Sequence, residues 1–413
     1  MIIIDTGSRR RRNMENAMIP GLRVSVIGAG IVGLAVADAL CRRGATVTVL
    51  ERDRIAQGTT DNSFAWVNAT SKTEDEAYHR LNAAGLDAWR ARAREFGEDA
   101  VGLHSGGMVE WIDAADPAAN AAMNERIRRL KAWDYPARAV DRTGLAALEP
   151  HFDYPPSARG VYAFGDAWLD APRAAAHLAA CIRSGGGTIR EHCTAQAVRR
   201  TNGAVESVET DADRIPSRHV VIAAGHETNA VVAKLTGDPA FASRGPVGAV
   251  PGALVQTPPC SPHRWVRRVV YCQHHGPLHL RPAPDGGLLL GGDDTDEWIA
   301  RGHQDALLER IESTLLQRAG KLIPGLPVDR WRGRCERRVG VRPMPADGRS
   351  VIGEVPNAPG VFLAATHSGV TLALVIGKLL ADRITSGKYP AMLDPFACHR
   401  FAESTESHAV DLH

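Results

Sequence analysis

Residues 23–51 read RVSVIGAGIVGLAVADALCRRGATVTVLE, and no other stretch narrows the choice of fold as far. RVSVI is a short β-branched run of the buried-strand type. GAGIVGLAVADALCRRG carries helical spacing up to Gly44, a residue type favoured just past a helix end, and ATVTVLE is a second strand. Gly28-x-Gly30-x-x-Gly33 thus sits on a strand-to-helix turn inside a βαβ unit, the setting in which this spacing signals a bound dinucleotide. Gly28 permits the tight turn, Gly30 lets a pyrophosphate approach the backbone at the positive helix end, and Gly33 allows helix and strand to pack closely. Glu51 ends the second strand, where a carboxylate accepts hydrogen bonds from a ribose 2′-hydroxyl and disfavours a 2′-phosphate, hence NADP. Asp38, on the helix, is expected on the solvated surface.

A chain of 413 residues exceeds one ordinary core, so two domains are expected. With 49 basic against 47 acidic side chains, the charge is balanced, which argues against affinity for nucleic acid or membrane surfaces driven by electrostatics. Seven scattered cysteines, never spaced Cys-x-x-Cys, fit a reducing cytoplasm and offer neither a disulfide framework nor a zinc site. Residues 1–20 include Arg9, Arg10, Arg11 and Arg12 but lack the apolar stretch of an export signal, so a disordered leader is expected, with the folded chain starting near Gly21. No run reaches the roughly 18 uncharged apolar residues of a membrane helix.

Pieces of the nucleotide domain recur far downstream. RIPSRHVVIAAGHET (214–228) reads as a turn, a strand and an Ala-Ala-Gly turn; GVFLAATHSGVTLALVIGKLLADRI (360–384) reads as a strand, a turn and an apolar helix beginning at Gly369. Such a helix start presents unpaired backbone N–H groups and a positive end, which suits a negatively charged group, although a helix that merely closes the sheet has the same sequence.

With these pieces in place, the chain from Arg23 to about Arg383 resembles the FAD enzymes of the D-amino-acid oxidase, glycine oxidase and sarcosine oxidase family. The resemblance rests on the ordered set VIGAGIVGLAVADALCRRGATVTVLERD, GTTDNSFAWVNA, GDAWLDAPR, VVIAAG, LHLRPAPDGGLLLGG, VGVRPMPADGRSVIG and ATHSGV. It implies an α/β fold: an FAD-binding Rossmann-like domain, with a parallel sheet, helices and a small β-layer, and a substrate domain whose mixed β-sheet roofs the flavin. The expected domain bounds are 21–90, 157–235 and 335–395 for FAD binding, 91–156 and 236–334 for substrate, and 402–413 for a flexible tail. Segment 133–156 reads as a connection between domains, and 245–265 as strands and loops of the substrate domain.

The resemblance also implies roles. Around FAD it puts Gly28, Gly30, Gly33, Glu51, Arg52, Thr59, Thr60, Ser63, Ala65, Trp66, Ala224, Gly225, Gly340, Ser368, Gly369, Val370 and Thr371. Arg342 occupies the place of the family's carboxylate-binding arginine, and a guanidinium grips a carboxylate through two parallel charge-assisted bonds. His279 falls where glycine oxidases carry an active-site tyrosine over the flavin, and His367 borders the flavin. Gly340 stands where the sarcosine oxidase branch attaches FAD through a cysteine, and Cys335 lies five residues earlier, so FAD is expected to be non-covalent. Leu289 replaces a lysine with which that branch helps dioxygen react. Cys272, His274, His275 and His279 match no common zinc spacing, and no metal is expected.

The activity so implied is oxidation of the C–N bond of an amino acid or related amine. The carboxylate rests on Arg342, a hydride passes to flavin N5 to leave an imine, and dioxygen reoxidises the flavin to give hydrogen peroxide. Alternatives are a dehydrogenase linked to a quinone or carrier protein, and an amine oxidase tailoring a secondary metabolite. A flavin monooxygenase would want a Gly-Asp motif before the last long helix, where THSGVTLA stands. A protein holding FAD without catalysis would show a flavin that no amine reduces. The partners expected are a small amine or amino acid and an electron acceptor, with a homo-oligomer compatible and no nucleic acid or membrane span.

Overall fold

The computed structural model describes residues 21–261, 265–301 and 305–401; the leader 1–20, the tail 402–413 and residues 262–264 of the 245–265 segment lie outside the described residues. The described chain divides into two units, each assembled from separated pieces. Among the described residues, the first draws on 21–57, Ala175–Gly248 and 343–401, and the second on Gly58–Ala174 and Ala249–Arg342. Residues 58–90, grouped with the nucleotide domain from sequence, cluster with the second unit. Among the described residues, no helix is long and apolar enough to cross a membrane.

The first unit is built on a six-stranded sheet in the order Val351–Glu354, Val361–Ala365, His219–Ile222, Arg23–Ile27, Thr46–Leu50, Thr188–Arg190. Its pairings are parallel except for the antiparallel pair Val351–Glu354 with Val361–Ala365. Strands of a parallel sheet are covered on both faces and so read as continuous apolar runs; VFLAA is buried at every position. The helix Ile31–Cys41 follows the first strand, and Gly44 lies in the turn to the second, at φ +78°. The helix Gly369–Ser386 runs alongside it in the same direction: a methyl group on Gly369 would lie 3.4 Å from Val32 Cγ2, and at the other end Arg43 bonds Asp382 at 2.6 Å. A three-stranded antiparallel layer, Ala195–Thr201, Ala204–Thr210 and Arg214–Pro216, contributes Val205, Val208 and Ile215 to the core that holds Val220, Ile222 and Leu363.

Asp38 corrects the sequence reading: it is 2% exposed. The helix that carries it is covered nearly all round, and the carboxylate is matched by Arg42 one turn on, at 3.2 Å.

The second unit has an eight-stranded mixed sheet in the order Glu336–Pro345, Val247–Gln256, Leu288–Gly291, Leu278–Pro282, Val269–Cys272, Met108–Asp113, Ala158–Ala163, Arg138–Asp141. Val269–Cys272 and Met108–Asp113 are parallel neighbours. Because side chains alternate along a strand, this sheet has two distinct faces. Ala253, Val255, Leu278, Leu280, Leu288 and Leu290 point into a core completed by Trp111 and by Leu315 and Leu322 of the helix Asp305–Leu322. The register Leu254–Gly291–His279 and Gln256–Leu289–Arg281 places those residues together on the other face. Segment 133–156, read as a connection, is instead part of this unit. It supplies the edge strand Arg138–Asp141 and the helix Arg142–Leu148, and it buries Leu145, Phe152 and Tyr154 in the core. Its acids and prolines masked the apolar residues spaced between them.

A small sheet of Trp66–Val67, Ala167–Leu169 and Leu103–Ser105 completes the unit. Beside it, buried Asp166 accepts hydrogen bonds from Trp66 Nε1 (3.0 Å), Thr70 Oγ1 (2.9 Å) and the Tyr135 hydroxyl. Burial raises its carboxyl to about 7. Between the ordinary carboxylate range and that value the folded protein holds a proton that the unfolded chain releases. The stability Asp166 contributes is therefore complete below about pH 4 and is lost as the pH rises through about 7. Relative to the wild type, Asp166→Asn should gain at least about 3 °C in melting temperature between pH 4 and pH 8; a pH-independent difference would contradict this account.

Candidate active site

In the first unit the strand Arg23–Ile27 delivers the chain into a turn that only glycine can make. Gly28 sits at φ +104°, and a methyl group there would lie 2.5 Å from the carbonyl oxygen of Ala223. Gly30, extended, precedes the helix Ile31–Cys41, and no side chain caps that helix. Glu51 is tied into the turn: Oε2 accepts from the Ala29 N–H at 2.7 Å and Oε1 from the Asp53 N–H at 2.9 Å. A carboxylate so held keeps lone pairs for ribose hydroxyls. Arg52 is engaged by Glu227 at 2.7 Å and Asp53 at 3.0 Å.

Ala224 precedes the short turn Gly225–Glu227, and the space around Gly225 is open to 4 Å. Half-buried His367 lies on the turn after the strand Val361–Ala365. Next come Ser368, whose N–H donates to Thr366 Oγ1 at 3.3 Å, and Gly369, Val370 and Thr371 in the first turn of the closing helix, which also has no side-chain cap. Two parallel helices thus start side by side, and their positive ends add. A backbone cradle without side chains, paired helix starts and a fixed carboxylate fit the pyrophosphate and ribose of a dinucleotide.

In the second unit, Arg342 lies on the strand Glu336–Pro345. Its Nη2 bonds Asp296 Oδ2 at 2.8 Å and donates to Pro251 O at 3.4 Å, while its buried Nε has no partner. Asp296 is itself fixed by the Ala253 N–H at 2.9 Å, and burial pushes its carboxyl up while Arg342 pulls it down. A buried N–H donor without an acceptor costs about 1–3 kcal/mol, so the guanidinium is poised to receive one.

His279 is half-buried, edge-on to Phe64 with ring centroids 4.5 Å apart and parallel to Tyr271 at 5.9 Å. Burial pushes its imidazole down to about 4, with Asp293 opposing and Arg342 assisting, so it is neutral near pH 7. The Tyr271 hydroxyl donates to Asp293.

The segment 59–66 crosses the sheet face that bears His279. Thr59 Oγ1 donates to Val341 O at 2.5 Å, Thr60 is buried, and Ser63 Oγ accepts from the Ala65 N–H at 3.0 Å. Ala65 takes φ +55°, and Trp66 is pinned by Asp166. A methyl group on Gly340 would lie 2.5 Å from Asn62 O, so a cysteine has no room there; Cys335 Sγ donates instead to Trp331 O at 3.5 Å. Leu289 packs with Leu254, Ala283 and Phe64. Of the histidine-rich segment, Cys272 is buried and His274 faces Asp113 at 3.8 Å; among the described residues no group of three or more His, Cys, Asp or Glu is placed to hold a metal.

Thus Thr59, Thr60, Ser63, Ala65, Trp66, Gly340, Arg342 and His279 belong to the second unit, and the other residues expected around a cofactor, with His367, to the first. Sequence reasoning missed Arg281 and Asp166. The alternation of LHLRP carried a signal for Arg281, which shares a face with His279.

A family model described as FAD dependent oxidoreductase matches residues 23–383. An opine oxidase chain of Agrobacterium tumefaciens (strain Ach5) is 25% identical over 92% of this chain and 97% of its own length. Glycine oxidase of Geobacillus kaustophilus (strain HTA426) is 23% identical over 91% and 96%. Among solved structures, glycine oxidase from Geobacillus kaustophilus matches with a TM-score of 0.75 at 22% identity, covering 92% of this chain and 99% of that one. L-proline dehydrogenase from P. horikoshii matches with a TM-score of 0.79 at 20% identity, covering 92% and 98%. At such identities the structures speak to the fold.

Gly28→Ala should be purified with most of its flavin absorbance lost, because the added methyl meets the Ala223 carbonyl; retention of a full complement of flavin would exclude a role for this turn. Acid denaturation of the wild type should release all its flavin into solution, whereas flavin remaining on the precipitated chain would show a covalent link.

Proposed function

The chain belongs to the family of FAD dependent oxidoreductases, and on that premise we propose that it oxidises the C–N bond of an amine that carries a carboxylate, the acid being held by Arg342. Enzymes of this family act on CH–NH or CH–NH2 groups, and the protein is an FAD-dependent oxidoreductase of amino acids or amines. The chemistry FAD supplies when bound is two-electron oxidation, with the flavin taking up a hydride and the electrons passing on to dioxygen or another acceptor.

One observation carries the proposal: a buried Nε–H on Arg342 with no acceptor. Asp296 holds Nη2 of the guanidinium, so the group is oriented before substrate arrives. A carboxylate meeting the free Nε–H gains a charge-assisted hydrogen bond, and its planar geometry suits arginine better than lysine. His279 offers one donor and one acceptor without adding charge. A neutral imidazole does not oppose binding of an ammonium group, which must still shed its proton before its lone pair can assist C–H cleavage. With the acid anchored, the chain's contribution is orientation, and the carbon next to nitrogen is held in one place.

The relatives' names fit this chemistry, one being a glycine oxidase and another a chain of an opine oxidase. A second reading, a dehydrogenase that hands electrons to a quinone or carrier protein, is favoured by Leu289. This side chain is 2% exposed in an apolar cluster, at the place where the sarcosine oxidase branch uses a lysine to help dioxygen react and the glycine oxidase branch does without one. Anaerobic reduction by substrate followed by admission of air separates the two, since slow reoxidation favours the dehydrogenase and rapid formation of hydrogen peroxide the oxidase.

Arg342→Ala should raise KM for a carboxylated amine by about two orders of magnitude, with a smaller effect on kcat, and Arg342→Lys should recover only part of the loss. Unchanged KM in steady-state assays of the alanine variant would refute the role.

A further inference from the structure

The segment 59–66 is a strap fastened across the sheet face that carries Arg342 and His279. One end is held by Thr59 on Val341 O at 2.5 Å, and the backbone of Asn62 lies against Gly340. Further along, Arg281 Nε donates to Phe64 O at 2.6 Å, and the Leu169 N–H donates to Ala65 O at 2.9 Å.

Arg281 is 4% exposed, and among the described residues it pairs with no carboxylate. Its Nη1 donates to Pro282 O at 2.7 Å, and its guanidinium lies 4.4 Å from the Trp168 ring centroid and 5.4 Å from that of Phe64. A buried cation without a counter-ion is unfavourable unless other groups compensate. Here two carbonyls and two aromatic faces do so, and three of those four groups belong to Phe64 or to Trp168, which pairs with Trp66 at the end of the strap. What Arg281 fixes is therefore the position of Phe64.

The Phe64 ring packs on Leu254, Ala283 and Leu289 and stands edge-on to His279. Arg342 is tied to this face through Asp296, whose carboxylate lies 3.0 Å from where a methyl on Gly252, two residues before Leu254, would sit, and its charge acts on His279. A substrate whose acid sits on Arg342 must place the rest of its bulk among these side chains.

We propose that Phe64, held in place by Arg281, is the specificity-determining side chain of the site and limits the size of the group that a carboxylated amine can carry beside His279. Arg281 is then a positioning residue, acting through Phe64. The inference rests on the reading that Arg342 binds the substrate's acid. The preferred substrates are amines with a compact substituent, and bulkier ones are excluded sterically.

The test is calorimetric binding of acetate, isobutyrate and benzoate to the holoenzyme, which needs no turnover. The wild type should bind acetate in preference to benzoate. Phe64→Ala should shift that preference toward benzoate by about tenfold or more, the scale on which apolar pockets discriminate by size. Phe64→Leu, which keeps the apolar cluster intact, should shift it in the same direction by less. Arg281→Met should also relax the preference in the wild type, but should add nothing in the Phe64→Ala background, where the side chain it positions is gone.

An unchanged benzoate-to-acetate ratio in both Phe64 variants would overturn the proposal while leaving Arg342's role standing. An Arg281→Met effect of equal size in the presence and absence of Phe64 would overturn the positioning role. Failure of the wild type to bind any of the acids, with Arg342→Met no different, would defeat the underlying reading and this proposal with it.

Discussion

The nucleotide-binding unit depends on a contact that involves no side chain, the backbone of Gly28 against the carbonyl of Ala223. The first strand and the strand His219–Ile222 are parallel neighbours, although nearly two hundred residues of sequence separate them. The turn at Gly28 has to pass beside the end of that later strand, and any Cβ would collide with it. The narrowness of this passage brings the start of the helix Ile31–Cys41, the Glu51 carboxylate and the start of the helix Gly369–Ser386 to one end of one sheet. Glu51 then holds the turn from below through the Ala29 N–H. Recognition of the cofactor is in this sense a product of strand packing.

The second unit solves a different problem by using both sides of a mixed sheet. One side is an apolar core against the helix Asp305–Leu322, and it anchors the strands. The other presents guanidinium, imidazole and aromatic groups on strands that cannot shift without disturbing that core. Rigid strands beneath and a fastened strap above are what a site needs to hold a small substrate in one orientation.

Much of the first unit was legible because its signals are local. The strand, glycine turn, helix and second strand fall within thirty residues, and the closing helix announces itself by its apolar spacing after a Ser-Gly turn. Arg342 was singled out only by the resemblance that VGVRPMPADGRSVIG carries, and the role it implies stands as a proposal. What escaped depended on partners remote in sequence. Asp38 reads as surface, yet its helix is covered nearly all round and Arg42 matches its charge. Segment 133–156 reads as a linker because its composition is polar, yet Leu145, Phe152 and Tyr154 at their particular spacing meet a core contributed by other strands. Segment 58–90 follows the first βαβ unit directly in the chain, and only the contacts of the strap reveal that it packs with the other unit. Arg281 and Asp166 are single polar residues in apolar surroundings, and nothing near them in sequence announces the rings and hydroxyls that hold them.

The interleaving of the chain bears on how the protein comes into being. The first unit's sheet receives two of its six strands and the closing helix Gly369–Ser386 from the segment that begins at Pro343. On the ribosome, the early βαβ unit therefore emerges with its neighbouring strand positions empty until Thr188–Arg190 and His219–Ile222 are made, and His219–Ile222 in turn waits for the segment that begins at Pro343. During that interval Val24, Val26, Val47 and Val49 are exposed as an unfinished edge, the kind of surface that chaperones shelter. Newly made chains should acquire their colour only at the end of translation, when the closing helix is released from the exit tunnel.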